Sequence, residues 1–212
     1  MSVSLTARDA EILDALAHRV RVFSLEQIGR TWWGECQEPN QPAKARLKVL
    51  TNAGLVLSYS SLAHPELPLE DPVIRWEPGD ATPDFGAGAY RVRCRWTQPF
   101  RTVTCFIATK RAATLVGGCG GRRSRTSEQT HDIHLSAVFL RYRSRSPHLV
   151  MSWKSEARIL RGRTDRREKL PDAIIEHDDA RMIIEFGGSY TKEKLTGFHE
   201  YCATEEVGYE VW

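Results

Sequence analysis

A chain of 212 residues is one large domain or two small ones. Its 41% hydrophobic and 27% charged residues are ordinary globular values and exclude wholesale disorder. Its net charge of +3 conceals a division, with residues 1–90 at −4, residues 91–169 at +14 and residues 170–212 at −7. A central block that basic is either a solvated face or the contact for a polyanion, most simply nucleic acid. No apolar run approaches the roughly 18 residues of a membrane span. The opening MSVSLTARDAEIL has no basic segment leading into an apolar one, so a cytoplasmic protein with no membrane partner is expected. The five cysteines are odd in number, widely spaced and without a CxxC pair, which argues for free thiols.

In chain order, Thr6 followed by Asp9 reads as a capping box, with Ile12, Leu13, Leu16 and Val20 at helical spacing behind it. Ser24 followed by Gln27 is a second box, opening a helix that carries Ile28 and Trp32. Pro42 suits the first turn of a third helix, Ala43, Leu47 and Leu50 give it an inward face, and Gly54 suits its C′ position. LVLSY (55–59) reads as a strand. Three short helices and a strand resemble a winged helix-turn-helix, in which two helices support a third that enters the DNA major groove. The groove face would be Lys44, Lys48, Thr51 and Asn52, with Arg46 at its edge. Lysines there would hold phosphates, and Asn52 or Arg46 could touch base edges. The same module could instead make protein contacts or a homodimer.

A proline-rich stretch (64–88) follows, and AYRVRCRW (89–96) alternates like a returning strand. RTVTCFIA (101–108) reads as a further strand, before a short helix capped by Thr109. GGCGGRRSRTSEQ lacks a phosphate-loop pattern and reads as a basic linker between domains. From about 128 the order is a helix, a strand at 148–153, an arginine-rich stretch, strands at 170–177 and 181–186, a helix at 190–203 and a last strand, GYEVW. The expected organisation is a helical DNA-binding domain at 1–98, a connection at 99–127 and an αβββαβ domain at 128–212. His131 and His134, three apart on a helix, read as packing residues.

If Asp178–Asp179 is a tight hairpin turn, Asp172 lies directly opposite Glu185 on one face, with Cβ atoms about 5 Å apart. Like charges that close are relieved by protonation of one acid or by a divalent cation. Oxygen donors of this kind suit Mg²⁺ or Mn²⁺, with Glu156 as a third member.

The αβββαβ order with Pro171–Asp172, a dozen residues and then Glu185 resembles the PD-(D/E)XK nuclease-like superfamily. More narrowly, the chain resembles the replication-relaxation family of plasmid and mobile-element proteins. The residues that carry this are LTARDAEILDALAHRVRVFSLEQIGRTWW, AKARLKVLTNAGLV, THDIHLSAVFL, SWKSEARIL and LPDAIIEHDDARMIIEFGGSYTKEKLTGFHEY. That resemblance implies a winged helix joined to a nuclease-like domain and association with double-stranded DNA. It places Asp172 and Glu185 at the metal-carboxylate positions. The lysine two residues after the glutamate is replaced by Gly187, although Lys192 or Lys194 could reach back from the following helix. Three functions compete on this reading. The first is a DNA-binding accessory or regulatory factor that keeps a nuclease fold, with the DNA backbone clamped by Arg122, Arg123, Arg125, Arg141, Arg143, Arg145, Arg161, Arg163, Arg166 and Arg167. The second is a Mg²⁺-dependent endonuclease using Asp172, Glu185, Glu156 and Lys192. The third is a protein-interaction module.

Overall fold

The computed structural model describes residues 3–162, 170–178 and 180–212. It is a mixed α+β chain with two sheets, divided into two compact units. The first unit comprises residues 1–65 and 100–140, the second residues 66–99 and 141–212. The expected consecutive arrangement of 1–98, 99–127 and 128–212 is therefore replaced by an interleaved one. The chain leaves the first unit after residue 65 and returns at residue 100.

In the first unit, Thr6 and Asp9 close the expected capping box on α1 (Ala7–Asp14), which runs into a π-helical turn over Ala15–Arg19. A short strand β1 (Phe23–Ser24) leads to α2 (Leu25–Trp32), capped reciprocally by Ser24 and Gln27. Helix α3 (Asn40–Asn52) buries Ala43, Leu47 and Leu50. Its exit is made by Gly54, whose φ of 69° lets Leu55 N–H reach back to the Leu50 carbonyl. Strand β2 (Val56–Ala63) then pairs along its whole length with β4 (Arg101–Ala108), which also pairs with β1, so β4 is the centre of the sheet. The strand that returns beside β2 is thus 101–108. Thr109 caps α5 (Lys110–Leu115), and α6 (Gln129–Arg145) carries the chain from the first unit into the second. Within the first unit Ile133 of α6 joins Val22, Ala63, Cys105 and Ile107 in one apolar cluster.

The glycine-rich stretch expected as an interdomain linker belongs to the first unit. Cys119 N–H donates to the Ala17 carbonyl and Gly121 N–H to the Ala108 carbonyl. Gly117 and Gly121 take the positive φ these turns require, 72° and 81°.

The second unit starts with β3 (Ile74–Trp76) and α4 (Phe85–Cys94). Residues 89–96 thus belong mainly to a helix and not to the expected strand. Their alternation is short enough to satisfy either period. Asp84 decides it by capping the Ala87 N–H at 3.0 Å, and Phe85, Gly88, Ala89 and Val92 form a buried helical stripe. Residues 148–150, expected within the strand 148–153, belong to the one-turn helix α7 (Pro147–Val150), with Pro147 at a position that needs no N–H donor. The sheet order is β3-β8-β7-β6-β5, with β5 (Trp153–Ser155), β6 (Ala173–His177), β7 (Ala180–Glu185) and β8 (Gly208–Val211). Helix α8 (Glu156–Gly162) follows β5, and α9 (Lys192–Thr204), capped by Thr191, joins β7 to the parallel β8. One sheet face carries Ile74, Trp76, Ile183, Tyr209 and Val211 against Phe85 and Ala89 of α4 and Leu195 and Phe198 of α9. Among the described residues no helix is long and apolar enough to cross a membrane.

Candidate functional site

In the first unit the outer face of α3 presents Lys44, Lys48 and Asn52, all exposed, with Val49 between them at 42% exposure. The two other expected members of this face are differently placed. The Thr51 hydroxyl donates to the Leu47 carbonyl at 2.8 Å and is half-buried. The Arg46 guanidinium turns inward to Asp9, with Nε 3.0 and 3.1 Å from its two oxygens, and Nη2 donates to the Ser4 carbonyl at 2.7 Å. Asp9 is 0% exposed. Burial alone would raise its carboxyl pKa, but hydrogen bonds from Arg46 and from the Thr6 backbone and side chain outweigh that and hold it below the ordinary range. Asp9 was visible in the sequence as a cap; its pairing with Arg46, 37 residues away, was not. Arg46 is therefore an anchor of α3 to α1 and not a free base-reading side chain.

The arginines expected to clamp a backbone divide similarly. Arg122 Nη2 donates to Glu128 at 3.1 Å, and Arg123 lies over the Tyr59 ring at 5.2 Å. The Arg125 side chain is 77% exposed. In the second unit Arg143 is half-buried on the last turns of α6. Arg163, Arg166 and Arg167 lie outside the described residues. His134 is fully buried, with Nδ1 2.6 Å from the Thr130 carbonyl and Nε2 3.2 Å from that of Pro65, a packing position as expected.

The second unit brings the expected carboxylates together. In the β6–β7 hairpin Ala173 faces Ile184 and His177 faces Ala180, the register that sets Asp172 opposite Glu185. Asp178 enters the turn with φ 48°. Asp172 lies just before β6, and one of its oxygens accepts the Phe186 N–H at 2.8 Å. Glu185 is 2% exposed and accepts a hydrogen bond from the Tyr190 hydroxyl. Burial, then the Glu185 and Asp172 charges, raise the Tyr190 phenol far above its ordinary value, so it remains the donor. The Glu156 backbone N–H bonds the Asp172 carbonyl at 3.1 Å, which seats the start of α8 beside the pair. Among the described residues no three His, Cys, Asp or Glu side chains gather in a metal-holding group.

Gly187, where the resemblance expects a lysine, is closely packed. A Cβ there would lie 2.9 Å from Val211 Cγ1 and 3.2 Å from Val92 Cγ1, and the Gly187 N–H donates to the Trp212 carbonyl. No lysine fits at that position without moving both neighbours. Lys192 is exposed at the start of α9. Lys194 is the lysine connected to the carboxylates, its ammonium 3.5 Å from the centroid of the Tyr190 ring whose hydroxyl holds Glu185. Sequence reasoning named Lys194 only as an alternative and did not single out Tyr190. An aromatic five residues after the glutamate was the available signal.

Comparison of the chain with family models, with curated proteins and with solved structures returns no match to any of them.

Proposed function

We propose that this protein binds double-stranded DNA through its first unit, used as a winged helix, and that its second unit is a nuclease-like domain that does not cleave efficiently. The protein then acts as an accessory or regulatory factor, in keeping with the plasmid and mobile-element proteins its sequence resembles. The observation that carries the DNA reading is α3. It is buttressed by α1 and α2, followed by the antiparallel β2–β4 pair, and it turns Lys44, Lys48 and Asn52 outward while Arg46 is spent on internal support. Two lysines followed by an amide on one exposed helix face suit phosphate contacts beside a base-edge contact.

The crowded Gly187 supports the non-cleaving half of the reading, because a lysine at the position where the resemblance expects one would have to displace Val211 and Val92. The test is fluorescence anisotropy on duplex DNA over a salt series. Log affinity is expected to fall linearly with log salt, by counterion release. Lys48→Glu with Asn52→Ala is expected to remove most of the affinity without changing the thermal melt. Unchanged affinity would remove α3 from the interface.

One observation favours a second reading, an active endonuclease. Lys194 sits on Tyr190, which bonds Glu185, so a displaced cation already adjoins the acid pair. The donor chemistry of Asp172 and Glu185 suits Mg²⁺ or Mn²⁺, which takes one or two carboxylates and fills its shell with water and substrate phosphate, and which when bound supplies an activated water. Incubation with supercoiled DNA and either metal, beside an Asp172→Ala/Glu185→Ala control, separates the two readings. Nicking that disappears in the control would establish the enzyme.

A further inference from the structure

The second face of the five-stranded sheet carries a cleft that neither the DNA-contacting helix nor the carboxylate pair uses. Alternation along the strands puts Asp172 and Glu185 on the face of Ile174 and Ile183, towards α4 and α9. The opposite face carries Arg75 paired with Glu210, Met182 beside Gly208, and Ile175 opposite Met182. Over these residues, between the end of α6 and the hairpin, lies a cavity of about 600 Å³. A smaller hollow of about 140 Å³ shares Arg75, Tyr142 and Glu210 with it and adds Arg141 and Arg145.

The polar groups of the hollow are held in place. Glu210 is 4% exposed and accepts from Tyr142 Oη at 2.7 Å and from Trp212 Nε1 at 2.8 Å. Its other oxygen lies 3.8 Å from Arg75 Nη1, while Arg75 Nη2 donates to Glu77 at 2.7 Å. Arg141 Nε and Arg145 Nη1 grip the Glu70 carbonyl at 3.1 and 2.7 Å, and Arg145 also pairs with Asp71 at 3.0 Å. A guanidinium has five N–H donors, so an anchored edge leaves others directed elsewhere. Three arginines meet Asp71, Glu77 and Glu210 here, so this end is charge-balanced but rich in guanidinium N–H donors. The far end of the larger cavity carries the two carboxylates of Glu205 and Glu206, with Arg181 also on the wall. The floor between is apolar, formed by Ile175 and Met182.

A ligand matching this layout has an anionic group at one end, a flat apolar body in the middle and hydrogen-bond donors at the other end. We propose that the cleft binds a nucleotide. Its phosphate is held by Arg75, Arg141 and Arg145, its base lies over Ile175 and Met182, and its ring N–H and amino donors face Glu205 and Glu206. A cavity of this size is within the range of small-ligand sites. Carboxylates at the base end select guanine, which presents adjacent N–H donors, over uracil, which presents one. A free nucleotide and the end of a nucleic-acid strand both supply this phosphate and carry the same recognised chemistry.

The test is isothermal titration calorimetry of the full chain. It is made in the Lys48→Glu/Asn52→Ala background so that contacts through α3 do not contribute. The ligands are GMP, UMP, inorganic phosphate and a short single strand with and without a 5′-phosphate. GMP is expected to bind one to one, roughly tenfold tighter than UMP. Arg75→Gln and Ala180→Trp are expected to weaken it at least as much. Arg75 is 60% exposed and is one of several partners of Glu210, and Ala180 is an exposed residue of the cavity wall, so neither change should alter the melt. Binding of the 5′-phosphorylated strand with no binding of GMP would identify a strand end as the source. The proposal is overturned if no nucleotide or phosphorylated strand binds, or if binding is the same in both variants.

Discussion

At single residues, two placements carry measurable consequences. Glu206 ends α9 in the left-handed region, φ 51°, where its N–H bonds the Ala203 carbonyl and Val207 N–H reaches back to that of Cys202. That is the geometry glycine adopts without strain. Glu206→Gly is therefore expected to stabilise the chain by about 1 kcal/mol in urea titrations; a loss of stability would mean that the side chain is needed locally. Asp9 works in the opposite direction. Its pKa in the folded protein lies below the unfolded value, so its contribution is present above about pH 4 and is lost as pH falls through the folded value. Asp132 is shifted the same way: burial opposes the shift, but His131, Arg21 and Ser124 outweigh it. Asp9→Asn should cost about 1.5–3 kcal/mol at pH 7 and less at pH 3, below the unfolded-state value, where part of the carboxylate's advantage has been lost. Thermal melts at the two values check this, and an equal cost at both would assign the effect to packing.

Among elements, the hairpin of β6 and β7 was legible because a short turn after His177 fixes every later pair, and Asp172 and Glu185 came into register with it. The caps at Thr6, Ser24 and Thr109 were equally local. Residues 89–96 were not legible, because eight residues with alternating apolar positions fit two periods and Asp84, the cap that decides, precedes them. The crowding of Gly187 depends on Val92 and Val211, which reach it through the fold from opposite ends of the second unit. That crowding makes a prediction for the join of β7 and α9. Gly187→Ala should destabilise by about 1–3 kcal/mol, the usual cost of forcing a methyl group into a packed site. Gly187→Lys should cost at least as much and should not create cleavage. Urea denaturation and the plasmid-nicking assay measure the two halves separately. A stable, cleaving Gly187→Lys protein would show that the neighbours yield and that only the residue type had been lost.

For the whole molecule, the interleaving of the units decides what can be cut away. The sequence placed the first boundary near residue 98 because the proline-rich stretch looked like an elaborate loop of the first unit. The pairing of β4 with both β1 and β2 is non-local and could not be read from either segment alone. A fragment of residues 1–98 lacks β4. Its strands β1 and β2 then have no common neighbour, and Val22 and Ala63 lose Cys105, Ile107 and Ile133 from their cluster. Such a fragment should show no cooperative thermal transition. The register offers a better division. Ala63 and Arg101 are cross-strand partners, so the ends that residues 66–99 connect are already adjacent, and a turn of a few residues can close them. A chain of residues 1–65, a short Asn-Gly-containing turn and residues 100–140 should melt cooperatively and keep the exposed face of α3. By the DNA reading it should also retain salt-dependent duplex binding while lacking the carboxylate pair and the arginine-lined cleft. Cooperative melting of 1–98 with failure of the joined chain would reverse the assignment of β4 and of the inserted residues. Cooperative melting of the joined chain without DNA binding would leave the fold intact and place the polyanion contact in the second unit, where Arg75, Arg141 and Arg145 are the first residues to change.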